Sequence, residues 1–408
     1  MKVVGIIAEY NPFHNGHKYH LEQSKNMCNS QYSVAVMSGN FLQRGEPALF
    51  DKWTRAKMAV LNGIDLVLEL PVVYSCQSAE IFAFGAVKIL NSLGIIDYLS
   101  FGSEKGNIEE LYNLAEALIN EPEEISNEIK HLMNKGLTYS KALGDAYNKY
   151  YDDILSYPNN VLGIEYIKSI LLLKSSIKPV TVKRVMNNYN DVYFTGTISS
   201  ATAIRKALKE NAFLEEIQTS TPEASWDIIK NNIMIKKGPV FWEDFIDILL
   251  YQIRRSSYKD IKNLPDIKEG LEYRFKKAGN SSTCFEELIN QLKTKRYTRT
   301  FLQRCLCHLL LGINKEDIKQ AKEILSPVYI RILALNKKGR DLLKEIRKNT
   351  KFPIINKPAD FESDSSYLDR IFELDIRATD IYSLGIKNND YRMAGMDYRT
   401  SPFYADSV

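Results

Sequence analysis

Long apolar runs are what this 408-residue sequence most plainly lacks: none approaches the roughly 20 residues of a membrane-crossing helix, so no such span is expected. The opening residues, Met1-Lys2-Val3-Val4, enter a strand pattern without the basic stretch or cleavage site of a secretory leader, and a cytoplasmic location is the expectation. Cysteine is scarce as well. Cys28, Cys76, Cys284, Cys305 and Cys307 are odd in number and show no CxxC spacing, which points to neither a disulfide framework nor a zinc site. Their one cluster, Cys305-x-Cys307-His308, falls in an apolar helical run from Phe301 to Leu311, where small buried thiols account for it. No carboxylate cage for a metal is visible, and no residue is assigned as a metal ligand.

What is present is an ordinary mixture, 45% hydrophobic and 25% charged, in a chain long enough for two or three domains. The net charge of +4 is small, yet residues 251–350 carry 23 Lys and Arg against 11 Asp and Glu. An excess of 12 positive charges in that stretch suits a polyanionic partner.

The most informative stretch is the first. Val3 to Ala8 is a continuous apolar run rich in β-branched residues, the pattern of a strand buried on both faces at the centre of a parallel sheet. Pro12 and the pair Asn15-Gly16 turn the chain before a helix opens near Lys18. A strand, a tight turn and a helix N-terminus form an anion site, because free amides and the helix dipole face the crevice beyond the strand's end. His14 and His17, three apart on that first turn, share a face and are able to donate hydrogen bonds to phosphate oxygens.

Four further strands are expected: Ser33–Met37, Asp65–Leu70, Asp97–Phe101 and Val180–Val185, separated by helical stretches that include Ala79–Leu93 and Ile164–Leu173. This alternation specifies an α/β fold, a doubly wound five-stranded parallel sheet of Rossmann-like type. Gln43 and Arg44, in a long loop after the second strand, Gly102 after the fourth and Arg184 after the fifth all fall at strand ends. Ligands in open α/β sheets bind there. From about Trp226 the pattern turns helical, giving two expected domains, 1–215 for catalysis and nucleotide binding and 216–408, basic and mainly α-helical.

A second motif, Ser200-Ala201-Thr202-Ala203-Ile204-Arg205, opens a helix with hydroxyls in capping positions and a cation in the first turns. A cation there opposes the helix dipole, at roughly 0.3–1 kcal/mol, unless an anion sits between. Ser200, Thr202 and Arg205 are therefore candidates to hold β- and γ-phosphates.

His14-x-Gly16-His17 resembles the HxGH signature of the nucleotidyltransferase superfamily, and Ser200 to Arg205 resembles its ISSTxIR motif, with Ala201 where the family has a second Ser. No KMSKS-like lysine motif is present. Longer stretches, Glu9–His17, Met37–Pro47, Phe101–Glu104, Pro158–Gly163 and Lys295–Arg299, are similar to the bacterial tRNA(Met) cytidine acetate ligases over nearly the whole chain. That resemblance implies activation of acetate with ATP as acetyladenylate, then acetylation of the wobble cytidine of elongator tRNA(Met), with Mg²⁺ held largely by nucleotide and water. His14, His17 and Arg205 would be catalytic. ATP would lie along Ile7, Ala8, Glu9, Tyr10, Asn11, Pro12, Phe13, His14, Asn15, Gly16, His17, Lys18, Tyr19 and His20, and at Gly102, Asn160, Arg184, Ser200 and Thr202.

The run Lys293, Lys295, Arg296, Tyr297 and Arg299 mixes cations with a ring, which suits phosphates and one unpaired base, and it is expected to bind tRNA. The alternatives at this stage are a small-molecule adenylyltransferase of coenzyme biosynthesis and a nonenzymatic nucleotide- or RNA-binding module.

Overall fold

The structure, a computed structural model, describes residues 1–137, 139–151, 153–184, 201–210, 212, 214–268 and 270–406. Its centre is a sheet in the order β5-β4-β1-β2-β3-β6-β7, with β8 paired to β6. The strands are β1 Val3–Ala8, β2 Tyr32–Ser38, β3 Leu66–Leu70, β4 Tyr98–Ser103, β5 Lys178–Lys183, β6 Ile330–Asn336, β7 Ile354–Ile355 and β8 Phe403–Ala405.

The five amino-terminal strands are mutually parallel, as their apolar runs require. β1 lies between β2 and β4, so the chain leaves β1 first to one side and later returns to the other. That reversal opens a crevice at the carboxyl ends of β1 and β4. Among the described residues no helix is long and apolar enough to cross a membrane.

Two features depart from the sequence reading. The sheet does not stop at five strands: β6 pairs antiparallel with β3, Leu66 facing Leu335, and β8 runs parallel to β6, so the carboxyl-terminal half adds an edge to the same sheet. Ile330 to Asn336 is a short apolar run, buried throughout, and such a run has the signature of a buried helix as much as of a strand. The second departure is the helix Pro158–Leu172, which starts at Pro158 and not at Ile164. Proline's fixed φ and missing N–H suit the first helical position, so the residue read as a break is a start.

The helix Lys52–Leu61 begins where expected, with the Asp51 carboxylate accepting from the Thr54 amide at 2.7 Å. Its Lys52 enters a knot of buried charge. Lys52 is 2.8 Å from both Glu69 and Asp397, and Arg331 reaches Glu69 at 3.3 Å and also pairs with Asp397. Beside it, the Asp375 carboxylate accepts from the Val72 amide at 2.6 Å and from the Tyr329 hydroxyl. This knot ties β3 and the amino-terminal half to β6 and to the last fifty residues.

Candidate active site

The helix Asn15–Met27 follows β1, and His14 is its N-cap: His14 Nδ1 accepts from the Gly16 amide at 3.0 Å. The His14 amide in turn donates to His17 Nδ1 at 3.3 Å. Both Nδ1 atoms are thus acceptors, which assigns the proton of each neutral ring to Nε2. The helix's amide donors are partly consumed by this cap, and each imidazole passes a donor outward through its Nε2–H.

Packing fixes the rings. His14 and His17 stack with centroids 3.8 Å apart, and Tyr10 meets His17 edge-on at 5.0 Å. Tyr10 itself has φ of +46°, a left-handed conformation that costs a non-glycine residue about 1–3 kcal/mol and is characteristic of functional turns. Burial, reinforced by Arg184, lowers His14 to about 3 and His20 to about 4; burial followed by the neighbouring imidazoles and Arg184 holds His17 well below its usual value. All three rings are neutral near pH 7.

These groups line a crevice of about 280 Å³ that also receives Ala201, Thr202 and Arg205. The amino-terminal turn and the distant helix Ala201–Glu210 therefore meet at one cavity. Thr202 Oγ1 lies 3.5 Å from the Arg205 guanidinium, which stands 3.7 Å from Glu46. The anion expected near Arg205 is thus supplied in part by the protein.

Of the residues expected to contact nucleotide, Ile7, Ala8, Glu9, Tyr10, Asn11, His14, Gly16, His17, Tyr19, His20, Gly102, Arg184 and Thr202 line the crevice. Others do not. Phe13 is fully buried in the core and Pro12 is buried behind the turn; Asn15 donates to the Thr219 carbonyl at 2.8 Å, and Lys18 is exposed. Ser200 lies outside the described residues. Asn160 is not among the residues that line the crevice: its Oδ1 accepts from the Glu104 and Lys105 amides and its Nδ2 donates to the Ile154 carbonyl, bonds that hold the loop after β4. Its neighbour Asn159 lines the cavity instead, accepting from Arg184 at 3.3 Å. Asn159, Leu162 and Tyr166 share one face of the helix Pro158–Leu172, an i, i+3, i+7 spacing visible once the helix is started at Pro158. Together with Phe101 they form an aromatic and aliphatic wall that the sequence reading missed.

Glu9 has its backbone carbonyl held by the buried Arg55 at 2.6 Å and its Oε1 by the Gln43 amide at 2.8 Å. Burial pushes its carboxyl up, against the pull of the Gln43 amide and Arg205.

The basic run sits on the turn before the helix Arg299–Leu311. Lys293, Lys295 and Arg296 are exposed, Tyr297 stacks on Phe301 at 5.3 Å, and Arg299 is tied to Glu286 by two hydrogen bonds. The same helix presses on the loop after β2. Gly45, at φ +70°, has the Arg304 amide 2.3 Å from where a Cβ would stand, so only glycine fits. A larger groove of about 700 Å³, lined by Trp53, Lys57, Tyr391 and Phe403, contains none of the residues singled out in the sequence.

The chain matches the family described as HIGH Nucleotidyl Transferase over residues 1–397. It is 44% identical to the tRNA(Met) cytidine acetate ligase of Acetivibrio thermocellus over 98% of each chain, and 40% identical to that of Clostridium kluyveri over the full length of both. Among solved structures it is similar to Thermotoga maritima TmcAL, with TM-scores of 0.92 to the form bound with alpha-thio ATP and 0.94 to the apo form, at 36% identity and complete coverage of both chains.

Proposed function

This chain belongs to the tRNA(Met) cytidine acetate ligase family of HIGH nucleotidyltransferases, and from that premise we propose how its own residues perform the reaction. It is an ATP-dependent ligase that activates acetate as acetyladenylate and acetylates the wobble cytidine of elongator tRNA(Met) to N4-acetylcytidine. Adenine rests against the wall of Phe101, Leu162 and Tyr166, beside Gly102, where the lack of a side chain leaves Arg184 room to lie close.

The triphosphate runs from there between the two motifs. His14 and His17 aim Nε2–H donors at the α-phosphate as acetate attacks it, and Thr202 and Arg205 receive the departing pyrophosphate. Fixed donors in a water-poor crevice stabilise charge as it develops, and one such donor is worth about 10²–10³ in rate. Neutral imidazoles serve this role across the working pH range, since they need not gain a proton to donate one. Among the described residues no group of three or more His, Cys, Asp or Glu forms a metal cage. Mg²⁺ bound with the nucleotide would be held largely by phosphate oxygens and water and would supply charge neutralisation beside Arg205 and Thr202.

Lys293, Lys295, Arg296, Tyr297 and Arg299 bind the tRNA. Phosphates supply the affinity, and the wobble cytosine is splayed out to enter the crevice. Arg299, already paired with Glu286, contributes less than the exposed Lys295.

The single observation that carries this reading is the meeting of the His14 and His17 donors with Thr202 and Arg205 at one cavity. It is tested by incubating the protein with ATP, labelled acetate and total tRNA and analysing the nucleosides. Labelled acetylcytidine in elongator tRNA(Met) is the expected product. A protein that shows no acetate-dependent exchange of pyrophosphate into ATP does not work this way.

A further inference from the structure

The two half-reactions differ in one proton. Acetate attacks the α-phosphate as an anion and needs no base, whereas the cytidine amine is neutral and must shed a proton once it has attacked. The crevice offers few groups to take it. His14 and His17 have their Nδ1 atoms occupied by backbone amides and carry hydrogen on Nε2, so both are donors. His20 faces the Ser24 and Ser100 hydroxyls at 3.5 and 3.4 Å. Arg44, Arg184, Arg205 and Lys183 are cations. Among the described residues that line the crevice, Glu9 is the only acid.

We propose that Glu9 is the proton acceptor for acetyl transfer, an assignment that rests on the reading above. Its Oε1 is anchored by the Gln43 amide and its own carbonyl by Arg55, while among the described residues Oε2 has no hydrogen-bond partner. The N4 lone pair forms the C–N bond to the acetyl carbon. The acyl C–O bond to phosphate breaks, and AMP leaves with that electron pair. The N4 proton passes to Glu9 Oε2 and from there to water.

The groups facing Glu9 are Arg44 and Glu46 from the loop after β2, Arg205 from the helix Ala201–Glu210, Arg55 from the helix Lys52–Leu61, and His14 and His17 from the first helix. Burial raises the carboxyl above its usual range, which makes it a stronger base at neutral pH than an exposed carboxylate. The anchor also leads toward the basic helix. Gln43 Nε2 donates to the Gln77 carbonyl at 3.0 Å, and the Gln77 side chain meets His308, on Arg299–Leu311, at 3.2 Å. Glu9 is thereby positioned from the side on which tRNA is proposed to bind.

The test separates the halves in the full-length protein: acetate-dependent pyrophosphate exchange for the first, single-turnover acetyl transfer to tRNA for the second. Glu9→Gln is expected to slow transfer by about 10²–10⁴-fold, at least tenfold more than it slows exchange. The wild-type transfer rate falls as pH drops through the Glu9 pKa, the Gln variant loses that limb, and Glu9→Asp recovers part of the rate. Transfer by Glu9→Gln within threefold of wild type overturns the assignment, as does equal loss of both halves with the pH limb retained. A wild-type protein without exchange overturns the reading beneath it, and this role falls with it.

Discussion

Two clusters of buried polar groups lie at the carboxyl ends of the parallel strands, one beside β3 and one beyond β1 and β4, and they are built on opposite rules. In the knot around Lys52, Glu69, Arg331 and Asp397, each charge faces an opposite charge, within 2.8 Å for Lys52 and its two carboxylates. In the crevice, Glu9, His14 and His17 are each held from behind by a backbone amide and present their other atom to the cavity. Charge set against opposite charge in the core is closed to a ligand, even where single atoms such as Asp397 Oδ2 make no hydrogen bond. Polarity anchored on one side is preorganised for one, and that asymmetry identifies the functional cluster more surely than burial does.

The sharpest way to break this comparison is in the knot. Asp397→Ala leaves Lys52 and Arg331 facing Glu69 alone, and removing one partner of a buried ion pair costs about 3–5 kcal/mol. Urea denaturation at pH 7 is expected to show that loss; a change below about 1 kcal/mol would mean that the knot is incidental. In the crevice the reverse is expected. His17→Ala slows acetate-dependent exchange about 10²–10³-fold, the value of one preorganised donor, while its stability cost is that of a helix cap, about 1 kcal/mol. An equal loss in both measurements would erase the distinction.

The smallest effect is in the pH dependence of stability, where the two clusters pull opposite ways. Burial, with Glu69 nearby, raises Asp375 to about 7, so its folded carboxyl holds a proton that the unfolded chain has released. Its contribution is complete below about pH 4 and is lost as pH rises to about 7. His14, lowered to about 3, does the opposite: the unfolded chain gains a proton first, so stability is lost as pH falls below 6.5. In denaturation curves from pH 4 to 8, Asp375→Asn is expected to remove the fall in stability between about pH 4 and 7, and His14→Ala the loss of stability as pH falls below 6.5. Identical slopes in both variants would refute the assignment of opposite environments.

Much of the crevice was legible in the chain. Val3 to Ala8 as a central strand, the inward His14 and His17 and the cap at Asp51 are decided within a few residues, by side-chain period and amide satisfaction, whereas Asn15-Gly16, read as a turn, opens the helix Asn15–Met27. The convergence of five strand ends followed from topology. The resemblance added the meeting of Arg205 with the first turn, which no local rule contains. Where the reading stopped short, the deciding partner was remote or the pattern ambiguous: Asn159 and Tyr166 were missed because the helix was started at Ile164, and Arg205 gained Glu46 from a loop about 160 residues away.

Residue order alone set the parallel five-stranded core, the helix that follows its first strand and the excess of positive charge over residues 251–350, because periodicity, caps and composition act over short distances along the chain. Long-range folding settled that β6 and β8 complete the amino-terminal sheet, that Asp397 closes a charge knot with Lys52, and that among the described residues Glu9 is the one acid lining its crevice. Those outcomes depend on which residues meet after hundreds of intervening ones have folded, and a carboxylate's role is set by the charges and amides around it in space, not by its neighbours in sequence.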